Sequence, residues 1–220
     1  MKMATFIILA FQFTFMGCLS ANHHVGVFCG TDEKIPEFYK NVAFELGEKL
    51  AQSGHNLITG GGNTGLMNAV VNGFVSKGDA SCTHAVVPSV FKSYNVHHLD
   101  IPESNLLWTN TIHERLQAFD KQCDTMVILP GGFGTLHELM DFLVPKQWGL
   151  TDKKIIILNA DHYWDYLLLQ FETMVEKMAL KKSHLDLFIV VTNAKECLEA
   201  IEKQQNTTQN NGLDDRYWDK

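Results

Sequence analysis

Six short apolar runs alternate with six stretches of helical period across this chain, and that alternation leaves few folds open. The runs are HHVGVFCG (23–30), HNLITGGG (55–62), THAVVPSVF (83–91), DTMVILP (124–130), KKIIILNA (153–160) and LFIVV (187–191). Between and after them lie IPEFYKNVAFELGEKLAQSG, NTGLMNAVVNGFVSKG, TIHERLQAFDKQC, TLHELMDFLVPKQWG, YWDYLLLQFETMVEKM and AKECLEAIEKQ. The runs are continuously apolar rather than alternating, as strands are when helices cover both faces of a sheet. Repeated strand–helix units predict an α/β fold, a doubly wound parallel sheet with right-handed crossovers. Ligands in that architecture bind beyond the carboxyl ends of the strands.

Details within this frame are readable from spacing. Phe38, Val42, Leu46 and Leu50 form one helical stripe, with Gly54 as its stop signal. Ile112, Leu116, Phe119 and Cys123 form another. Pro145 is expected to end or kink the helix that begins near Thr135. Residues 89–108 read as an irregular loop, longer than most connections in a compact domain and suited to a lid or a site loop.

The chain has 220 residues, 45% of them hydrophobic, enough for one well-buried core, placed here at 22–204. The formal charge is −7, Arg115 and Arg216 are the two arginines, and no Lys/Arg-rich run occurs. A broad phosphate-backbone footprint is therefore absent, which argues against a nucleic-acid partner. Cysteines 18, 29, 82, 123 and 197 show no C-x-x-C or metal-ligand spacing, and an odd count makes a poor disulfide framework. They read as reduced, structural thiols, and no metal site is expected.

Residues 1–21, MKMATFIILAFQFTFMGCLSA, have one early Lys, an apolar stretch and Leu19-Ser20-Ala21. That is the layout of a secretory signal cleaved after Ala21, too short for a comfortable membrane span. Phe15-Met16-Gly17-Cys18 adds a weak acylation pattern. The same residues also suit an N-terminal extension, or a start upstream of a true one at Met16. Reduced cysteines pull toward the cytoplasm, and export stands as an equal alternative. Residues 205–220 read as a polar, flexible tail carrying the sequon Asn206-Thr207-Thr208.

Two glycine-rich turns follow predicted strands and open predicted helices. One is Gly60-Gly61-Gly62-Asn63-Thr64-Gly65, and the other is Pro130-Gly131-Gly132-Phe133-Gly134-Thr135. Each can aim unpaired backbone amides and a positive helix end at an anion. Each is also readable as a plain tight turn. A dinucleotide reading fits poorly, because the G-x-G-x-x-G lies in the second strand–helix unit and no acidic residue follows at the required distance.

Two charged residues have two readings apiece. Thr135-x-x-Glu138 is a capping box, with hydroxyl and carboxylate serving backbone amides; alternatively, Glu138 projects over the phosphate loop beside a bound ribose. Arg115 is either a solvated arginine near Glu114 or an anion ligand on the flank of its helix. His113 and His137 read as surface or cap histidines.

These residues resemble the Lonely Guy family of phosphoribohydrolases, long labelled lysine decarboxylases. The resemblance is carried by VGVFCG (25–30), GGGNTGLM (60–67), IHER (112–115), PGGFGTLHE (130–138, matching P-G-G-x-G-T-x-x-E), QWG (147–149) and KIIILN-x-x-x-Y-W. It covers roughly residues 24–203. It implies a Rossmann-like homodimer or larger assembly that needs no metal or redox cofactor. The implied activity is hydrolysis of the N-glycosidic bond of a nucleoside 5′-monophosphate, a cytokinin riboside monophosphate or AMP, to free base and ribose 5-phosphate. Carried over, Arg115 and Glu138 are the catalytic pair, 23 residues apart as in the family. Gly131, Gly132, Phe133, Gly134 and Thr135 fall in the phosphate–ribose loop. Gly60, Gly61, Gly62, Asn63 and Gly65 form the other wall.

The chain departs from the family at three places. Leu116 stands where a lysine follows the arginine, His137 where a second carboxylate precedes the catalytic one, and Val144-Pro145 where a Thr-Trp pair is usual. Leu116 lies on an apolar stripe and so is expected in the core. An ionised Glu138 near the anomeric carbon would stabilise oxocarbenium charge and activate water, while Arg115 would hold the phosphate or ribose and keep Glu138 ionised. Phe133 and the 89–108 loop are placed beside the base. The competing reading is a nucleotide-binding or sensing protein without turnover. A lysine decarboxylase is disfavoured, since no residue pattern suggests a pyridoxal-phosphate site.

Overall fold

The computed structural model of the chain describes residues 23–94 and 97–203. The signal-like residues 1–21, Cys18, Arg216 and the tail with its sequon lie outside the described residues. Seven strands, β1 (His24–Phe28), β2 (Asn56–Thr59), β3 (Thr83–Pro88), β4 (Leu106–Thr109), β5 (Thr125–Ile128), β6 (Lys154–Leu158) and β7 (Ile189–Val191), form one sheet in the order β4-β3-β2-β1-β5-β6-β7. Every pairing is parallel. Five α-helices lie between them and a sixth follows β7: α1 (Glu37–Gln52), α2 (Gly65–Lys77), α3 (Ile112–Gln122), α4 (Phe133–Gln147), α5 (Asp165–Glu176) and α6 (Ala194–Glu202).

The sheet is doubly wound, as the continuous apolar runs require. Alternate residues of one strand feed different cores. Val25 and Val27 join the core under α1, α2 and α6, while Phe28 joins the one under α3, α4 and α5. In β6, Ile156 and Leu158 go one way and Ile155 and Ile157 the other. The chain moves outward from β1 to β4, then returns to lay β5 against the free side of β1. The order therefore reverses between β1 and β5, which places the crevice above their carboxyl ends.

Three expectations need correction. Residues 89–108 are not one irregular loop: Ser89–Tyr94 form a 3-10 turn and Leu106–Thr109 form the edge strand β4. Four residues, three of them half-buried, are too short a run to stand out from their polar flanks. Pro145 neither ends nor breaks α4, which continues to Gln147. Sitting in the last turn, it forfeits one hydrogen bond where fraying costs little, and Trp148 and Leu150 still donate to its carbonyl. Phe38 and Ile112, the leading members of their stripes, lie in the first turns of their helices and are 52% and 56% exposed.

Cys29, Cys82, Cys123 and Cys197, the cysteines among the described residues, are buried as thiols. Two histidines, His55 and His84, are buried near the amino ends of β2 and β3. Burial lowers both, His84 to about 4 with help from the neighbouring His24. In the unfolded chain they titrate near 6.5, so the unfolded state takes up protons first. Stability is fully present above that value and falls as pH drops from 6.5 toward 4. His84 alone is expected to lower unfolding free energy by about 2 kcal/mol between pH 7.5 and 5. Urea midpoints at the two pH values check this, and a His84→Asn variant should show a flatter pH response.

Candidate active site

The turn after β5 is built by close approach. Gly30 N donates to the Pro130 carbonyl at 2.9 Å, tying the turns after β1 and β5 together. A Cβ on Gly131 would lie 2.1 Å from Thr135 Oγ1 and 2.8 Å from Gly30 N, so no side chain fits there. Gly132 and Gly134 differ, because a Cβ on either would meet nothing within 4 Å. Their outer surface is open space in front of the first turn of α4. Gly132 is the N-cap and supplies no side chain to the helix amides, which leaves them and the positive end of the helix facing the crevice.

The capping-box reading is overturned. Helix α4 begins at Phe133, so Thr135 lies inside its first turn, buried beneath Gly131. Glu138 sits further along the helix, 7% exposed, with Oε1 accepting from Arg115 Nη1 at 2.5 Å. Burial pushes the Glu138 carboxyl above its ordinary value, and the Arg115 guanidinium pulls it back.

Arg115 is not a solvated arginine. Its Nε donates to the Val86 carbonyl at 3.2 Å, and its guanidinium lies 5.1 Å from the centre of the Phe119 ring. A Cβ on Gly60 would come within 2.6 Å of its Nη2. Helix α3, strand β3, the first glycine turn and α4 therefore all hold this one side chain. Gly60 is glycine because the guanidinium needs the room.

The two glycine turns are unequal. In the 60–65 turn the Gly61 amide donates to Thr59 Oγ1, the Gly62 amide to Met67 Sδ, and the Leu66 amide to the Gly30 carbonyl. Gly61 and Gly65 have φ of +81° and +58°, and a Cβ on Gly65 would strike the Thr31 backbone at 2.6 Å. This turn is a wall in which the Gly61 and Gly62 amides are spent within the protein. Asn63 is exposed at its tip.

Phe133 is 92% exposed at the rim. His113 and His137 are at the surface, and Leu116 is buried as its stripe requires. Among the described residues, no group of His, Cys, Asp or Glu could hold a metal ion, and no helix is long and apolar enough to cross a membrane.

Sequence reasoning missed Tyr163, whose hydroxyl donates to the Gly131 carbonyl at 2.7 Å. The available signal was the spacing of KIIILN-x-x-x-Y-W, which puts a tyrosine just past the neighbouring strand. It also missed the Val86 carbonyl and the Phe119 ring as supports of Arg115, because their roles depend on packing between elements.

The profile of the family described as "Possible lysine decarboxylase" matches residues 67–201. Among similar proteins, the cytokinin riboside 5′-monophosphate phosphoribohydrolase LOG5 of Arabidopsis thaliana is 31% identical over 81% of this chain and 76% of its own. LOG1 of the same plant, with the same description, is 28% identical over 80% of this chain and 81% of its own. Among solved structures, a molybdenum cofactor binding protein from Rippkaea orientalis superposes with a TM-score of 0.59 at 21% identity, covering 81% of this chain and 94% of that one. The Moco carrier protein of Chlamydomonas reinhardtii does so at 0.60 and 19% identity, covering 81% and 94%. At those identities the structures establish the Rossmann-like fold. With a profile match over more than half its length, the chain belongs to the possible lysine decarboxylase family, that of the Lonely Guy phosphoribohydrolases.

Proposed function

We propose that this protein hydrolyses the N-glycosidic bond of a nucleoside 5′-monophosphate, AMP or a cytokinin riboside monophosphate, releasing free base and ribose 5-phosphate. The observation that carries this reading is the Arg115–Glu138 pair at 2.5 Å, which joins α3 to α4, with the amino end of α4 facing an open, glycine-lined space. The 5′-phosphate seats on the α4 amides, and its binding energy positions the ribose. Glu138, as carboxylate, faces the anomeric carbon and stabilises the positive charge that grows as the C1′–N bond breaks. Water adds its oxygen to C1′, and its proton leaves with the base. Arg115 orients Glu138 and keeps its ionised form available at neutral pH.

Phe133, exposed at the rim, offers a face for the base. A homodimer, as the family resemblance implies, would cover apolar side chains left exposed at the end of α4, Val144, Trp148 and Leu150. Binding without turnover draws on the carrier proteins that share the fold, whereas the buried acid–base pair and the named phosphoribohydrolase relatives favour hydrolysis.

The test is incubation of purified protein with AMP and with isopentenyladenosine monophosphate, followed by chromatography of the products. Base and ribose 5-phosphate are expected in equal amounts. Release of no base from any nucleoside monophosphate, with nucleotide binding intact, overturns the reading and leaves the binding protein.

A further inference from the structure

The turn after β6 holds two consecutive non-glycine residues in left-handed conformation, Asp161 at φ 47° and His162 at φ 62°. Such residues cost free energy and persist only where their surroundings over-determine them. Here the surroundings are explicit. Asn159 Oδ1 accepts from the Trp164 amide at 2.6 Å, its Nδ2 donates to Asp165 at 2.7 Å, and its own amide donates to the Val191 carbonyl at 2.7 Å. The strained turn delivers Tyr163, whose ring lies edge-on between Trp164 at 4.8 Å and Tyr39 of α1 at 5.6 Å. Because β6 neighbours β5, the Tyr163 hydroxyl reaches the Gly131 carbonyl in the turn that opens α4.

That carbonyl is where α4 could have gained another residue. An α-helix extended backward by one turn position would bond the Thr135 amide to the Gly131 carbonyl. The first such bond instead runs from the Leu136 amide to the Gly132 carbonyl at 3.0 Å. Gly131 gives its oxygen to Tyr163.

We infer that Tyr163 is a positioning residue for the anion seat: by holding the Gly131 carbonyl, it keeps the Thr135 amide unspent at the amino end of α4 and available to a phosphate. The strained Asp161–His162 turn sets the height of the phenol, so the seat is controlled from a strand that carries no part of the Arg115–Glu138 pair. The inference rests on the hydrolase reading only for the identity of the natural anion.

Tyr163→Phe in the full chain tests it, with Tyr166→Phe, an 86% exposed neighbour on α5, as the control. Losing one neutral hydrogen bond predicts a roughly three- to tenfold weaker affinity for ribose 5-phosphate by calorimetry. KM for AMP should rise by the same factor with kcat unchanged. In the free variant, the Thr135 amide should exchange with deuterium more slowly, because the released carbonyl can now accept it. The control should match wild type in each measurement. Affinity within twofold of wild type, an unprotected Thr135 amide, or a loss confined to kcat overturns the inference. The binding and exchange measurements decide it even if wild type releases no base, so its failure is distinguishable from that of the hydrolase reading.

Discussion

Glu138→Gln is expected to lower kcat for a nucleoside 5′-monophosphate by at least about 10²–10³-fold, the usual loss when a preorganised transition-state partner is removed. The substitution keeps the side-chain volume and an acceptor for Arg115 but removes its counter-charge, so kcat is compared on variant protein shown to be folded by its Tm. Full activity in the variant would remove Glu138 from the mechanism. The pH profile adds a sign. Burial raises the Glu138 carboxyl above 4.5, and the carboxylate is the working form, so the acid limb of kcat/KM should lie above that value. Arg115 is the main group that lowers it, ahead of His137. Arg115→Gln should therefore move the acid limb to higher pH as well as weaken catalysis. A limb that stays put or moves down contradicts the coupling.

The largest stability effect is expected far from the chemistry, at Gly47→Ala. A Cβ there would lie 2.1 Å from the Val70 carbonyl oxygen and 2.7 Å from the Phe74 amide, both backbone atoms of α2. Gly73 of α2 meets the Phe44 carbonyl in the same way, at 2.0 Å. Helices α1 and α2 thus cross with their backbones in contact, and no rotamer change can relieve an added methyl. Overpacking against backbone should cost about 3 kcal/mol or more. At roughly 2–4 °C per kcal/mol for a domain of this size, Tm should fall by about 10 °C. A Tm within about 2 °C of wild type would mean that the helices separate without cost. Because α2 begins at Gly65, the separation should also loosen the 60–65 wall beside Arg115 and reduce activity in the variant that remains folded.

The strand and helix series was legible because burial on both faces leaves a pattern in one dimension: the strand centres VGVF, LI, MVI and IIIL carry no polar side chain. Strand β4 was not legible, since LLWT is half-buried at the sheet edge and its pairing with β3 is a long-range fact. Glu138 illustrates a different limit. A Thr three residues ahead of it is a sound local cap signal, yet α4 starts at Phe133, and the carboxylate turns to Arg115 on another helix. Local chemistry allowed both outcomes, and the approach of α3 to α4 decided between them. Gly47 and Gly73 looked like weak points within helices until the partner backbone was in place.

By itself, then, the sequence determined the parallel, doubly wound sheet, the crevice at the carboxyl ends of its strands, and the residues worth watching there. Those properties follow from periodicity and from glycine at turns, which act over a few residues. Only the tertiary structure decided which glycine turn keeps open space in front of it, which charge Glu138 meets, and that Tyr163 holds the Gly131 carbonyl. The last two depend on partners 23 and 32 residues apart, and such contacts are settled only when the strands bring those partners within 3 Å or so of one another.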